Sequence, residues 1–345
     1  MSSPLWPAPA SGRRPNAVLV VLLAAAVLAA LHAGAEDRRY TIAFANLTEE
    51  PGVTLEATGF MGREVRDSFV LAARRLPVDL VFYDNRRDVR TALDNAADAA
   101  RRQVDLFVEY FHEPTANDGV ARTLREARIP VLAVNYAVGD APLYTADNAA
   151  AGRIGGEALA DFAARSWQGR TVFGLIVGAV NSRQDRLPER VQGVIEGLRG
   201  RQRSIRIVNL DTQGNHATVA TLVGRVVAAQ PNAKFLIAAL DDVTALAAKS
   251  ALEGAGRVAD GAIVSFGCDR SIHGGASDRK EIDPSNRGSI VLGSVAFYLD
   301  RYGYDVLPLA LRMLRGEAVA ARTTTTHKLI TAANVFREYP PYDLQ

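Results

Sequence analysis

Amides, carboxylates and one arginine recur where short apolar runs of the chain end. In the first half these are Asn46, Asp84, Asn85, Glu109, His112 and Asn135, with Tyr110 and Tyr136 beside them. In the second half they are Asn181, Asp185, Arg190, Asp211, Asp241, Asp242 and Asp269. Amides and carboxylates supply paired donors and acceptors, and a guanidinium supplies a fork of donors, a combination suited to a ligand rich in hydroxyls. Phe60, Phe111, Tyr136 and Phe266 are rings that would stack on the apolar face of such a ligand. Each residue also has a plainer role. An Asp after a strand is most often a helix cap or turn former, which applies to Asp84 and Asp241, and Asp242 reads as a cap. Arg190 lies about one turn into a helical pattern, where a surface ion pair is the ordinary use. Glu109 ends the run Leu-Phe-Val-Glu-Tyr and stands either at a cleft or in a solvated loop.

Covalent chemistry finds little support. The chain has no GxSxG and no GxxxxGK[ST], and its one cysteine, Cys268, follows Gly267 at the end of an apolar run with no base next to it. Gly152, Gly155 and Gly156 fall inside a helical pattern rather than in a strand-to-helix phosphate loop, so a dinucleotide fingerprint fails on context. The histidines show no HExxH spacing, and His112 beside Glu113 reads as a solvated loop more readily than as a metal pair. The expectation is a binding protein, not an enzyme, with no cofactor and no resident metal.

The elements that would position these residues alternate along the chain, as repeated βαβ units do around a parallel sheet. Strands are expected at 41–46, 78–84, 105–110 and 130–136, with helices near 60–75, 88–102 and 116–128. The pattern restarts after residue 148, with strands at 171–177, 205–211, 234–240, 262–266 and 289–295. Helices are expected there near 149–165, 187–200, 217–230 and 243–254. Continuous apolar runs such as Phe-Leu-Ile-Ala-Ala-Leu, 235 to 240, suit strands covered by helices on both faces. The fold class is therefore α/β, with two doubly wound parallel-sheet domains. In such sheets ligands bind beyond the carboxyl ends of the strands. A last helical pattern at 297–314 would return to the first domain, and a Thr-rich tail from 323 would run to the second, making a multi-strand hinge. The expected domains are 36–146 plus 297–321, and 147–296 plus 322–345.

At 345 residues, with 48% hydrophobic and 23% charged residues, the chain suits two packed domains and excludes wholesale disorder. Lys and Arg number 40 against 38 Asp and Glu. Arg13-Arg14, an apolar run of about 15 residues from Ala17 to Leu31, and Ala33-Gly34-Ala35 read as a cleavable secretory signal ending at Ala35. Its removal takes Arg13 and Arg14 and leaves 38 charges of each sign, which argues against nucleic acid as a partner.

Several segments resemble the type I periplasmic sugar-binding proteins, the ribose- and galactose-binding group whose architecture recurs in the effector domains of lactose-repressor-type regulators. The resemblance runs over most of residues 40–335. It is carried by Tyr-Thr-Ile-Ala-Phe-Ala-Asn at 40–46, Ile-Pro-Val-Leu-Ala-Val-Asn at 129–135, Thr-Ala-Asp-Asn-Ala-Ala-Ala-Gly-Arg-Ile-Gly-Gly-Glu at 145–157, Glu-Arg-Val-Gln-Gly-Val at 189–194 and Ile-Val-Ser-Phe-Gly-Cys-Asp at 263–269. The resemblance implies the type I periplasmic binding fold. It makes Arg190 the arginine that binds sugar hydroxyls, puts Asn135 in the place of an acidic ligand after the fourth strand, and makes Asp269 the counterpart of the Asp in a Phe-Asp pair. Asp147 and Asn148 fall at hinge and pocket positions. Two departures stand out: Leu240-Asp241-Asp242 replaces an Asn-Asp-Asp, and the first loop, 47–59, is longer and lacks an aromatic pair, leaving Phe60 and Met61 as replacements.

The function so implied is a periplasmic, monomeric solute receptor that captures a sugar or sugar alcohol by hinge bending and delivers it to the permease of an ABC importer in the inner membrane. The alternative is a receptor presenting the solute to a membrane sensor kinase. The expected ligand residues are Asn46, Phe60, Glu109, Asn135, Tyr136, Asp147, Asn148, Arg190, Asp241 and Asp269.

Overall fold

The computed structural model describes residues 38–183, 186–274, 281–283 and 289–340. The expected leader at 1–35 and the candidate Asp185 lie outside them. The first strand, β1 (Tyr40–Asn46), is an apolar run buried at every position but Thr41. It pairs in parallel with β2 (Val78–Asp84) on one side and β3 (Leu106–Glu109) on the other, so its carboxyl end is a topological switch point. The sheet continues through β4 (Val131–Val134) and a short β5 (Leu143–Thr145). Helices α1 (Gly62–Ala73), α2 (Val89–Arg102) and α3 (Pro114–Glu126) connect these strands. Asp88 caps α2 by accepting from the Thr91 amide at 2.7 Å, and Pro114 opens α3, where its missing N–H costs nothing.

The chain then enters a second sheet through α4 (Asn148–Ser166). Strand β6 (Val172–Gly178) pairs in parallel with β7 (Arg206–Asp211) and β8 (Lys234–Ala239), repeating the switch point of the first sheet. β9 (Gly261–Gly267) and β10 (Val291–Ala296) complete the parallel part. The intervening helices are α5 (Leu187–Arg201), α6 (Val219–Ala229), α7 (Asp242–Gly254) and the short α8 (Arg270–His273). Two six-stranded, helix-covered sheets make this an α/β protein of two doubly wound units, as the alternation of the sequence implies.

The last part of the chain differs from expectation in two places. The helical pattern expected from Phe297 begins only at α9 (Tyr302–Leu314), after Tyr298 takes a left-handed turn (φ 55°) into a single 3₁₀ turn, Leu299–Arg301. Helix α9 packs on α1, where Gly303 meets the Phe69 backbone and its amide donates to Ser68 Oγ at 2.9 Å. The boundary drawn at 322 is displaced: β11 (Arg322–Thr324) joins the first sheet beside β5, and only β12 (Lys328–Ile330) crosses to pair antiparallel with β10. A β-branched segment reaches the open edge made by β5, a strand of three residues too short to stand out in the sequence. Helix α10 (Val335–Glu338) ends the described chain. Among the described residues the chain thus passes between the sheets three times, after β5, after β10 and between β11 and β12.

Candidate functional site

Both switch points open toward each other, and the candidate site is the cleft between them. The loop after β1 enters from the first unit. Leu55 and Phe60 are buried, and two residues between them, Glu56 and Ala57, take left-handed backbone (φ 55° and 48°). That turn aims their carbonyls at the second unit, where Arg190 receives them. Its Nη2 donates to the Glu56 carbonyl at 3.0 Å and its Nη1 to the Ala57 carbonyl at 3.1 Å and the Leu240 carbonyl at 2.6 Å. Nε donates to Asn148 Oδ1 at 3.0 Å. The guanidinium lies 4.3 Å from the centroid of Phe297 and 5.6 Å from that of Phe266, and the residue is fully buried. Arg190 thus lies buried between the two units and is not a surface ion pair. The groups it holds are those of its own chain.

The Glu56 carboxylate turns back to the first unit and accepts from the Tyr110 hydroxyl at 2.8 Å. Tyr110 and Tyr136 lie with ring centroids 6.2 Å apart and planes 20° from parallel, a pair of rings at the ends of β3 and β4. Asn135 also takes left-handed backbone (φ 59°). Its Oδ1 accepts from the Ala146 amide at 3.2 Å and the Tyr302 hydroxyl at 3.4 Å, which leaves its buried Nδ2 without a partner among the described residues. Asn148 repeats this arrangement: Oδ1 is taken by Arg190, and Nδ2 is buried and unpartnered. Two buried amide donors near the hinge are therefore without acceptors among the described residues.

Other candidates serve the fold. Asp241 caps α7, its Oδ1 accepting from the Thr244 amide at 2.7 Å and its Oδ2 from the Thr244 hydroxyl at 2.8 Å, with His216 Nε2 3.3 Å from Oδ1. Asp147 caps α4 through the Ala150 amide at 2.9 Å. Asp242, expected as a cap, is the first residue inside α7 and turns into the core. There it accepts from Ser265 and Ser294 hydroxyls at 2.5 and 2.7 Å and from the Asp269 amide at 2.8 Å. Burial, and then the charge of Asp269, push its carboxyl well above the usual range. Asp269 lies at the cleft, but one oxygen caps α8 through the Ser271 amide at 2.7 Å, and Gly59 covers the other. Burial raises this carboxyl too.

Glu109 is the clearest departure. Its register partners, Ala45 and Ala133, belong to the buried layer beneath α2 and α3, so its side chain enters that layer and not the cleft. Oε1 accepts from Asn85 Nδ2 at 3.0 Å, and Asn85 in turn accepts from Asn95 on α2 at 2.9 Å. Burial holds the carboxyl well above its ordinary range. Asn46 points to the opposite face and donates to the Gly62 carbonyl at 2.8 Å, bracing the start of α1. Phe60 is packed in the core cluster instead of lying open to a ring. Of the ten expected ligand residues, the structure brings Asn135, Tyr136, Asn148, Arg190 and Asp269 together at the cleft. Reasoning from the sequence missed Glu56 and Tyr302; the unusual length of the first loop was the available signal for Glu56.

No cluster of three or more metal-ligating side chains occurs among the described residues, and no described helix is long and apolar enough to cross a membrane. Cys268 is buried, and burial pushes its thiol well up, the opposite of what a nucleophile needs.

Solved structures share this architecture. A Mycobacterium smegmatis protein in complex with β-D-fucofuranose is 20% identical, covering 88% of this chain and 95% of its own, with a TM-score of 0.62. An ABC transporter periplasmic solute-binding protein from Actinobacillus succinogenes with bound D-allose is 13% identical over 87% of this chain and 100% of its own, with a TM-score of 0.67. The arabinose ABC transporter's periplasmic binding protein from Shewanella sp. ANA-3 is 19% identical over 87% and 94%, with a TM-score of 0.63. No curated protein matches the chain by sequence. Residues 52–318 match the model of the periplasmic binding protein domain, and the chain belongs to that family.

Proposed function

We propose that this protein is an exported receptor that captures a small sugar or sugar alcohol between its two units and delivers it to an ABC importer. The observation that carries the reading is the pair of buried, unpartnered amide donors, Asn135 Nδ2 and Asn148 Nδ2, at a cleft that also holds the Tyr110–Tyr136 rings. A hydroxyl-rich solute supplies the acceptors those amides lack and an apolar ring face for Tyr136. Solved relatives with bound sugars support the same class. In this reading Asn135, Tyr136 and Asn148 contact the solute, and the buried Tyr110 backs the Tyr136 ring. The leader ending at Ala35 is removed on export, the receptor acts as a monomer, and no bond is made or broken.

Thermal unfolding against pentoses, hexoses, polyols, amino acids and divalent cations tests it. A solute at 100 times its Kd adds about 2.7 kcal/mol to the native state, which raises the midpoint by several degrees. A rise confined to one sugar or polyol class is the expected result. A rise with amino acids or cations only would overturn the carbohydrate assignment.

A further inference from the structure

We infer that Arg190 is a latch that closes the second unit onto the first loop, and not a contact for the solute. The inference rests on the receptor reading for its purpose but not for its test. All three guanidinium nitrogens are engaged by protein acceptors, two of them by carbonyls of the opposite unit. These two carbonyls come from consecutive non-glycine residues in left-handed backbone, a conformation that persists only where the surroundings enforce it. The surroundings do so from both sides. Tyr110, of the first unit, grips the Glu56 carboxylate, while Phe297 and Phe266 clamp the arginine plane on the other side.

A second contact locks the same loop. A Cβ added at Gly59 would fall 1.4 Å from Asp269 Oδ2, so the bare backbone of this glycine seats directly on a carboxylate of the second unit. Residues 56–59 therefore cover both second-unit groups that a solute would otherwise grip, Arg190 and Asp269. The loop takes the place of a ligand on that face, and the solute meets the cleft through the first-unit and hinge amides. Closure then depends on bonds within the chain, and a solute biases an equilibrium that the latch already favours.

The test measures distance across the cleft without added solute. Spin labels at two exposed positions, introduced by Asp118→Cys on α3 and Val243→Cys on α7, report it in the full chain, because the native Cys268 is buried. A single short distance is expected with Arg190 present, and a shift to longer distances in Arg190→Ala. Gly59→Ala forces the loop off Asp269 and should lengthen the distance in the same way, which decides the matter should Arg190→Ala not fold. Equal distances in the parent and in whichever of these variants folds would overturn the latch. Failure of every sugar to bind would overturn the receptor reading and leave this measurement intact.

Discussion

A buried carboxyl with one hydrogen bond makes a definite demand on pH. Glu109 holds Asn85 through one oxygen and is otherwise enclosed by the layer under α2 and α3, so the native state favours its protonated form. In the unfolded chain the same group ionises near the usual carboxylate value, about 4.3. The native state thus binds a proton that the unfolded state has released. Glu109 then contributes stability that is complete at acidic pH and is lost as pH rises toward its native value. The slope is about 1.4 kcal/mol per pH unit within that window. Glu109→Gln, which keeps the shape and an acceptor for Asn85, should gain in thermal midpoint relative to the parent as pH goes from 5 to 8. Parallel curves would show that the carboxyl is ionised in the native protein. The sequence placed this residue at the end of a buried strand but not on a face, because the last residue of a four-residue strand has no alternation beyond it to define the side. Arg190 stood out in the sequence only through the family resemblance of its motif, and two of its partners, the Glu56 and Ala57 carbonyls, did not stand out at all, since they come from a loop more than 130 positions earlier.

At the scale of elements, α4 and α5 show why glycines sit within helices. A Cβ at Gly152 would lie 2.1 Å from the Arg190 carbonyl, one at Gly156 2.4 Å from that of Val194, and one at Gly193 2.1 Å from that of Ala149. The two helices meet backbone to backbone, and their glycines interlock. That contact sets the position of Arg190 on α5, because Gly152 touches its carbonyl directly. Gly193→Ala should raise intrinsic helix propensity yet lower stability, since overpacking costs about 1–3 kcal/mol. A fall in midpoint would confirm the interlock; a rise would mean that the helices can separate without penalty. The alternation of strands and helices was readable because each buried strand and each amphipathic helix carries its own periodicity. Strands β5 and β11 were not, because three residues carry no period and their pairing is decided by an edge formed elsewhere in the chain.

On the scale of the whole molecule, three crossings must bend together, and His327 ties them. It lies on the third crossing, between β11 and β12. Its Nδ1 is 2.9 Å from the Ala296 carbonyl at the end of β10, and its Nε2 is 3.1 Å from the Asp147 amide at the start of α4. A carbonyl only accepts and an amide only donates, so Nδ1 carries the proton and Nε2 is bare: the ring is neutral in this arrangement. Burial, and then the charge of Arg190 among its neighbours, lower its pKa below the ordinary 6.5. A depressed histidine stabilises the native state above the unfolded pKa, and that contribution drains away as pH falls through about 6.5 toward the native value. His216 works in the opposite sense, because Asp241 raises its pKa, so the total pH profile mixes the two. The difference between the parent and His327→Asn isolates the hinge. At pH 7.5 the variant should be less stable by about 1–3 kcal/mol for the disrupted pair of hydrogen bonds, and the gap should narrow toward pH 5. A gap that stays constant would mean that His327 is not the neutral bridge between the crossings. A gap that widens would mean that the hinge gains from a charged imidazole, with the Asp147 carboxylate as its partner.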